Sequence, residues 1–234
     1  MGKEIVIEES NKMPGEQSRL WKHEDIIQVL RNDLGTGKVE AISLHLQDEN
    51  EKVEISSTAF KQMHNVRFFQ ITNFVNYPEN SMLLLPNGLE FLPADLRYLS
   101  WDLYPLSYLP SNFCPENLVA LGMRHSKLKE LWNMDKLPPS LEALDATDCT
   151  SLESVSTVVL PKHELLLRNC IKLKQEARST ITDDVLESYL YDNEDKNGFC
   201  ELSVAGSEVP QSIKYKNNNG SSLSVTLDCH DLIG

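Results

Sequence analysis

Five cysteines and six histidines carry most of the chemistry that this 234-residue chain could offer, and their spacing decides what that chemistry is. Structural zinc asks for thiolates two to four residues apart, with a second pair or histidines at matching distance. The nearest two cysteines, Cys149 and Cys170, stand 21 residues apart, and Cys114, Cys200 and Cys229 are farther still. The histidines (His23, His45, His64, His125, His163, His230) form no H-E-x-x-H. "VAGSEVP" is not the G-x-S-x-G of a nucleophile elbow. "LGTGKVE" lacks the spacing of a phosphate loop and the Ser or Thr that should follow its lysine, Lys38. Asp and Glu total 35, so chance pairs are certain, and without geometry they say nothing of acid–base work. The expectation is no catalytic residue, no metal and no cofactor.

The 21-residue gap between Cys149 and Cys170 has another origin. Leu99, Trp101, Tyr104, Leu106 and Leu109 stand 22 residues before Leu121, Met123, Ser126, Leu128 and Leu131. Leu141, Leu144, Ala146 and Cys149 repeat the frame, and so do Leu165, Leu167, Cys170 and Leu173. Upstream, Phe60, Met63, Val66 and Phe68 are read in the same frame, after Val39, Ile42 and Leu44. This is the L-x-x-L-x-L-x-x-N/C pattern of a leucine-rich repeat. Its L-x-L step predicts a short parallel strand with alternate residues inward. The N/C residue turns inward to pair backbone groups that would otherwise be buried without partners. Cys149 and Cys170 hold that place, Ser126 substitutes tolerably, and Tyr104 and Ile71 predict irregular turns. Between Phe68 and Leu99 lie 31 residues rich in Pro, Asn and Gly, which predict a loop. Five or six repeats fit between Val39 and Leu173.

The ends differ from the middle. In "HEDIIQVLRNDLG" (His23 to Gly35), Ile26, Ile27, Leu30 and Leu34 make one helical stripe, with Glu24 and Asp25 at the N-terminal end and Gly35 suited to C′. "FCELSVAG" and "SSLSVTLDC" alternate as strands. A net charge of −13 disfavours nucleic acid and anionic membrane as partners. "MGKEIVIEES" is not a signal peptide, Val6 does not suit myristoylation, and runs such as Met82 to Leu85 are far too short to span a bilayer. An odd, scattered set of cysteines fits a reducing, cytoplasmic or nucleo-cytoplasmic setting.

"LRYLSWDLYPLSYLPSNFCPENLVALGMRHSKLKELW" (Leu96 to Trp132) closely resembles the repeats of plant intracellular immune receptors of the TIR–NB–LRR class. "GEQSRLWKHEDIIQVLRNDLGTGKVEAISLHL" resembles the link from the nucleotide-binding region into the first repeats. "ELSVAGSEVPQSIKYKNNNGSSLSVTL" is similar to the opening strands of the post-repeat β-sandwich. The resemblance implies an α/β fold: a leucine-rich-repeat solenoid with a curved parallel sheet and an irregular or short-helical convex side. An N-terminal helical segment precedes it and an incomplete C-terminal β-sandwich follows. The implied divisions are 1–38 for the tail of the nucleotide-binding region with its linker helix, 39–175 for the repeats, 176–198 for a linker and 199–234 for the truncated sandwich. The TIR and nucleotide-binding domains of the class lie outside this chain, so NAD cleavage and nucleotide binding are not carried over.

With no catalytic constellation, the expected site is a surface. Residues between the inward leucines should project onto the concave face and stack in columns. They are Ala41, Ser43 and His45; Asn65, Arg67 and Phe69; Tyr98, Ser100 and Asp102; Ala120, Gly122 and Arg124; Ala143, Asp145 and Thr147; Glu164, Leu166 and Arg168. Arg67, Phe69, Tyr98, Asp102, Arg124, Asp145 and Arg168 are the candidate protein-binding set, with aromatic anchors and arginines as in interface hot spots. The partners implied are a pathogen effector or a guarded host protein and, in a longer form, the receptor's own nucleotide-binding domain. The alternative is a stand-alone or truncated repeat scaffold or decoy that does not signal.

Overall fold

A run such as Ala-Ile-Ser-Leu-His-Leu can satisfy its backbone only by pairing with a neighbour, and its alternate apolar residues fix which face turns inward. The computed structural model describes residues 13–46, 52–73, 83–132, 138–155, 163–181, 200–205 and 222–227. In chain order the elements begin with a 3₁₀ turn (Pro14–Glu16), β1 (Arg19–Leu20), α1 (His23–Arg31), β2 (Ala41–Leu46), β3 (Val53–Glu54) and β4 (Phe68–Asn73). Next come β5 (Leu83–Leu84), β6 (Tyr98–Trp101), β7 (Ala120–Gly122), β8 (Glu130–Leu131) and β9 (Ala143–Asp145). Last are β10 (Ser154–Val155), β11 (Glu164–Leu167), β12 (Cys200–Ala205) and β13 (Ser222–Leu227).

The fold is α/β with one large, almost wholly parallel sheet. Its nine strands run β1-β2-β4-β6-β7-β9-β11-β12-β13, and only β12 with β13 is antiparallel. Ile42, Phe69, Leu99, Leu121, Leu144 and Leu165 fall in one register column, all buried. Behind the sheet, β3 pairs with β5 and β8 with β10 in two short parallel bridges. Among the described residues between 52 and 155, these bridges and tight turns make up the far side of the core.

Where the repeat frame is clear the residues behave as expected, but the unit around β4 is shifted by one. Phe68, read as inward, is 36% exposed, and Phe69, read as an outward candidate, is 0% exposed. Val66 and Ile71 explain the outcome: the pattern is Val66-x-x-Phe69-x-Ile71, which puts Phe69 and Ile71 on the inward steps. Phe69 meets Phe60 edge-on at 5.1 Å and Trp101 at 5.3 Å, and Trp101 in turn meets Tyr104 at 5.0 Å. Ile71 is therefore a strand residue and not a turn residue.

Four strands, β6, β7, β9 and β11, leave the sheet through a left-handed corner. Leu103, His125, Asp148 and Asn169 hold φ of 58°, 54°, 61° and 57°. For an L-residue this costs roughly 1–2 kcal/mol. The corner is held because three of these amides extend the parallel ladder: Leu103 N–H donates to Arg124 O (2.8 Å), His125 to Thr147 O (2.9 Å) and Asp148 to Arg168 O (2.8 Å). The next residue in each unit turns inward. The Cys149 thiol donates to Met123 O at 2.9 Å and that of Cys170 to Ala146 O at 3.2 Å. Ser126 Oγ accepts from Tyr104 N–H, and the buried Tyr104 hydroxyl donates to Tyr108 O.

Burial pushes the Cys170 thiol up to about 12 and raises that of Cys149 in the same direction, so neither supplies thiolate near neutrality. Native-state iodoacetamide is expected to alkylate exposed Cys114 and to spare Cys149 and Cys170 until denaturant is added. Peptide mass mapping reads this directly, and labelling of Cys149 as fast as Cys114 would contradict the inward placement.

At the N-terminal end, β1 pairs with β2 and α1 buries Ile26, Ile27, Val29 and Leu30. The helix ends at Arg31, short of the expected Gly35. Asp33 takes the left-handed C′ conformation (φ 55°), and Leu34 N–H reaches back to Val29 O, a Schellman closure. Asp33 earns that place through its carboxylate, which accepts from the Ser56 and Thr58 hydroxyls at 2.9 and 3.2 Å. Leu34 is consequently off the buried stripe, at 45% exposure. Gly35 serves packing instead: a Cβ there would collide with the Met63 side chain. At the other end residues 175–181 are helical, while 182–199, most of the expected linker, lie outside the described residues. The strands expected to open a β-sandwich, β12 and β13, continue the nine-stranded sheet beyond β11.

Candidate functional site

The face of the sheet opposite the buried columns is laid out by strand register. One row reads Arg19, Ala41, Phe68, Tyr98, Ala120, Ala143 and Glu164; the next reads Ser43, Gln70, Ser100, Gly122, Asp145 and Leu166. Neighbouring strands bring row members within about 5 Å of one another. Small residues make up much of both rows; Phe68 stands exposed, whereas Leu166, expected to project outward, is buried.

Two groups stand out. Phe68 and Tyr98 stack face to face, with ring centroids 4.7 Å apart and planes 7° from parallel. Farther along, Arg124 Nε donates to Asp145 Oδ2 at 2.5 Å, and Asp145 Oδ1 accepts from Thr147 N–H at 2.9 Å. The Arg124 side chain is 58% exposed, so the pair fixes geometry and contributes no more than about 1 kcal/mol to stability. Asp102, half-buried, has its carboxyl raised above the usual aspartate range by desolvation. An Asn73 backbone hydrogen bond and the charges of Arg124 and His125 oppose that rise. Beside these, Asp148 at a strand corner receives Asn169 Nδ2–H at 2.9 Å and faces His125 Nδ1 at 3.6 Å. His45 and Thr72, and Ser43 with Gln70, are in side-chain contact at the β2–β4 pair.

The seven expected site residues are placed as follows. Tyr98, Asp102, Arg124 and Asp145 share the outer face, the last three within one electrostatic group. Arg168 stands beyond them, with its Nε donating to Ser203 Oγ of β12 at 3.1 Å. Arg67 is exposed but sits one step before β4, in an edge row with Glu40 and Arg97, to which it is joined by backbone hydrogen bonds. Phe69 does not belong to the set, because it is core. Sequence reasoning missed Phe68, although the spacing of Val66 and Ile71 around Phe69 carried the signal. It also missed the His125–Asp148–Asn169 corner group, which no spacing rule marks. The face supplies aromatic area, charge and hydrogen-bond donors on a stiff support, which suits binding. Among the described residues, no helix is long and apolar enough to cross a membrane.

No protein-family model matches the chain, and no solved structure matches it. Curated proteins do. The chain is 38% identical over 176 residues to the disease resistance protein RPS6 of Arabidopsis thaliana, a match covering 74% of this chain and 15% of that protein. It is 35% identical over 197 residues to the disease resistance protein RPP2A of the same plant, covering 73% of this chain and 15% of the relative. With the disease resistance protein RPS4B, also from Arabidopsis thaliana, identity is 30% over 200 residues, covering 74% and 17%. The chain therefore spans about a sixth of the length of the curated relatives it matches.

Proposed function

We infer the role of this chain from its kin: it belongs to the plant disease resistance proteins, of whose length it matches about a sixth. On this reading it is the leucine-rich-repeat region of an intracellular immune receptor of the TIR–NB–LRR class, working in the cytoplasm as a recognition module and not as an enzyme. The parallel sheet is the inner lining of a repeat solenoid, its outer face is the concave surface, and β12 with β13 leads into the post-repeat β-sandwich. The ligand is a protein, either a pathogen effector or a guarded host protein. Binding shifts the receptor from its resting to its active population, because the ligand meets this surface better in one state than in the other.

The observation that supports the reading best is the outer face itself. A row of stacked aromatics and a short Arg–Asp network on small-residue strands has the make-up of a protein interface centre. The test places Ser100→Arg together with Arg124→Glu in the natural longer receptor, so that bulk and inverted charge occupy the middle of the face. Leaves expressing the unaltered receptor are screened against a library of pathogen effector proteins to find one that elicits cell death. The double variant is expected to lose that response at unchanged protein level. A response that persists undiminished would remove recognition from this face.

A further inference from the structure

The outer face is electrically polarised along the sheet, against the overall sign of the chain. Toward β1 the exposed row holds Arg19, then Ala41, then the Phe68–Tyr98 stack. The edge row just outside it holds Glu40, Arg67 and Arg97, so that with Arg19 this end carries three guanidinium groups against one carboxylate. Arg97 N–H donates to Arg67 O at 2.8 Å, so the two arginines are lateral neighbours at the sheet spacing of about 4.8 Å. All three arginines are exposed, and none has an ion-pair partner among the described residues. Toward β11 the same face carries Asp145 and Glu164, with Glu142 in the edge row and Asp148 at a strand corner, and these four carboxylates outnumber Arg124, which pairs with Asp145, and Arg168. In a chain of net charge −13, three exposed guanidinium groups with no ion pair among the described residues, two of them adjoining the stacked rings, are not accounted for by solubility.

From this juxtaposition we propose a subsite for an acidic peptide segment of a protein partner, one that carries an aromatic or aliphatic anchor; it rests on the recognition reading above and refines it. The anchor lies against the Phe68–Tyr98 stack, which presents a flat apolar area already ordered before binding. Carboxylates on either side of the anchor pair with Arg19, Arg67 and Arg97, whose planar forks match them bidentately. The acidic end of the face repels the same segment, which fixes the direction in which it lies. A nucleic acid would also offer rings and negative charge, but the overall −13 opposes a long polyanion.

Fluorescence anisotropy on the purified 234-residue chain tests this with labelled nine-residue peptides. One has tryptophan at the centre of Asp and Glu residues, a second carries Lys in place of the acids, and a third is acidic with serine for the tryptophan. A single-stranded oligonucleotide of matching charge is the fourth probe. The first peptide is expected to bind at least tenfold tighter than the other three probes and to weaken at least tenfold between 50 and 300 mM salt. Arg67→Glu with Arg97→Glu, and separately Tyr98→Ser, should each weaken it at least tenfold with far-UV circular dichroism unchanged. Equal binding of the Lys peptide, preference for the oligonucleotide, or indifference to the arginine variants would overturn the subsite. If Ser100→Arg with Arg124→Glu silences the receptor while Arg67→Glu with Arg97→Glu alters neither that response nor peptide binding, the subsite fails and recognition by the face stands.

Discussion

Phe69→Ala is expected to lower the unfolding free energy by about 3–5 kcal/mol, and Phe68→Ala by less than about 1 kcal/mol, although the two residues are adjacent. Phe69 is fully buried, wedged between Phe60 and Trp101, and truncation would empty a ring-sized volume that short, laterally bonded strands cannot collapse to fill. Phe68 loses only one exposed stacking face against Tyr98. Urea denaturation of the two variants beside the parent gives both values from one set of midpoints. Equal losses, or a larger loss for Phe68, would mean that β4 pairs one residue out of the register described above.

The second large effect is expected at Gly15, where alanine should release the N-terminal segment from the rest of the chain. A Cβ at Gly15 would fall inside the carbonyl group of Leu34, which is backbone and cannot swing aside. Relief requires moving residue 15 away, breaking the two bonds its carbonyl accepts from Thr36, from N–H at 3.1 Å and from Oγ1 at 2.8 Å. The loss should reach about 2–3 kcal/mol, in the upper range for overpacking. Trypsin should then cut at Arg19 and Lys22 many times faster. Gly88→Ala is the control, since its φ of +77° strains any side chain while nothing lies within 4 Å of the added carbon. It should cost about 1 kcal/mol and leave cleavage at Arg19 unchanged. Parental cleavage rates in Gly15→Ala would show that residues 13–20 are not seated as described.

The repeat was legible because the parallel sheet buries the same positions once per unit, and leucine spacing records that directly. Ile42, Leu99, Leu121, Leu144 and Leu165 could be aligned by eye. The frame failed only where two phenylalanines stood side by side, since both registers then offer an apolar residue at the inward step. The helix over His23–Arg31 was visible in its stripe, but its end was not. Asp33 closes it through hydroxyls of Ser56 and Thr58, more than twenty residues away, and no local rule contains that partner. The left-handed corners were hidden for a related reason. Leu103, His125, Asp148 and Asn169 are not the glycines that such backbone ordinarily selects, and the lateral hydrogen bonds that hold them exist only after neighbouring units pair. Of the surface, charges and rings could be enumerated from the sequence. The stacking of Phe68 on Tyr98 depended on a register one residue away from the one read.

From β1 to β11 the strand order along the sheet follows the order of the chain, apart from the short bridges behind it. Every new strand therefore finds its docking edge already made by the unit translated just before it, about 21 to 30 residues upstream. The molecule can be assembled in the direction of synthesis, strand by strand, while the ribosome is still at work. An incomplete nascent chain always ends in one open parallel edge, and the next unit covers it. Elongation rate along these 234 residues thus acts on how long each sticky edge is exposed, so that a pause within one unit is a greater aggregation hazard than a pause between two.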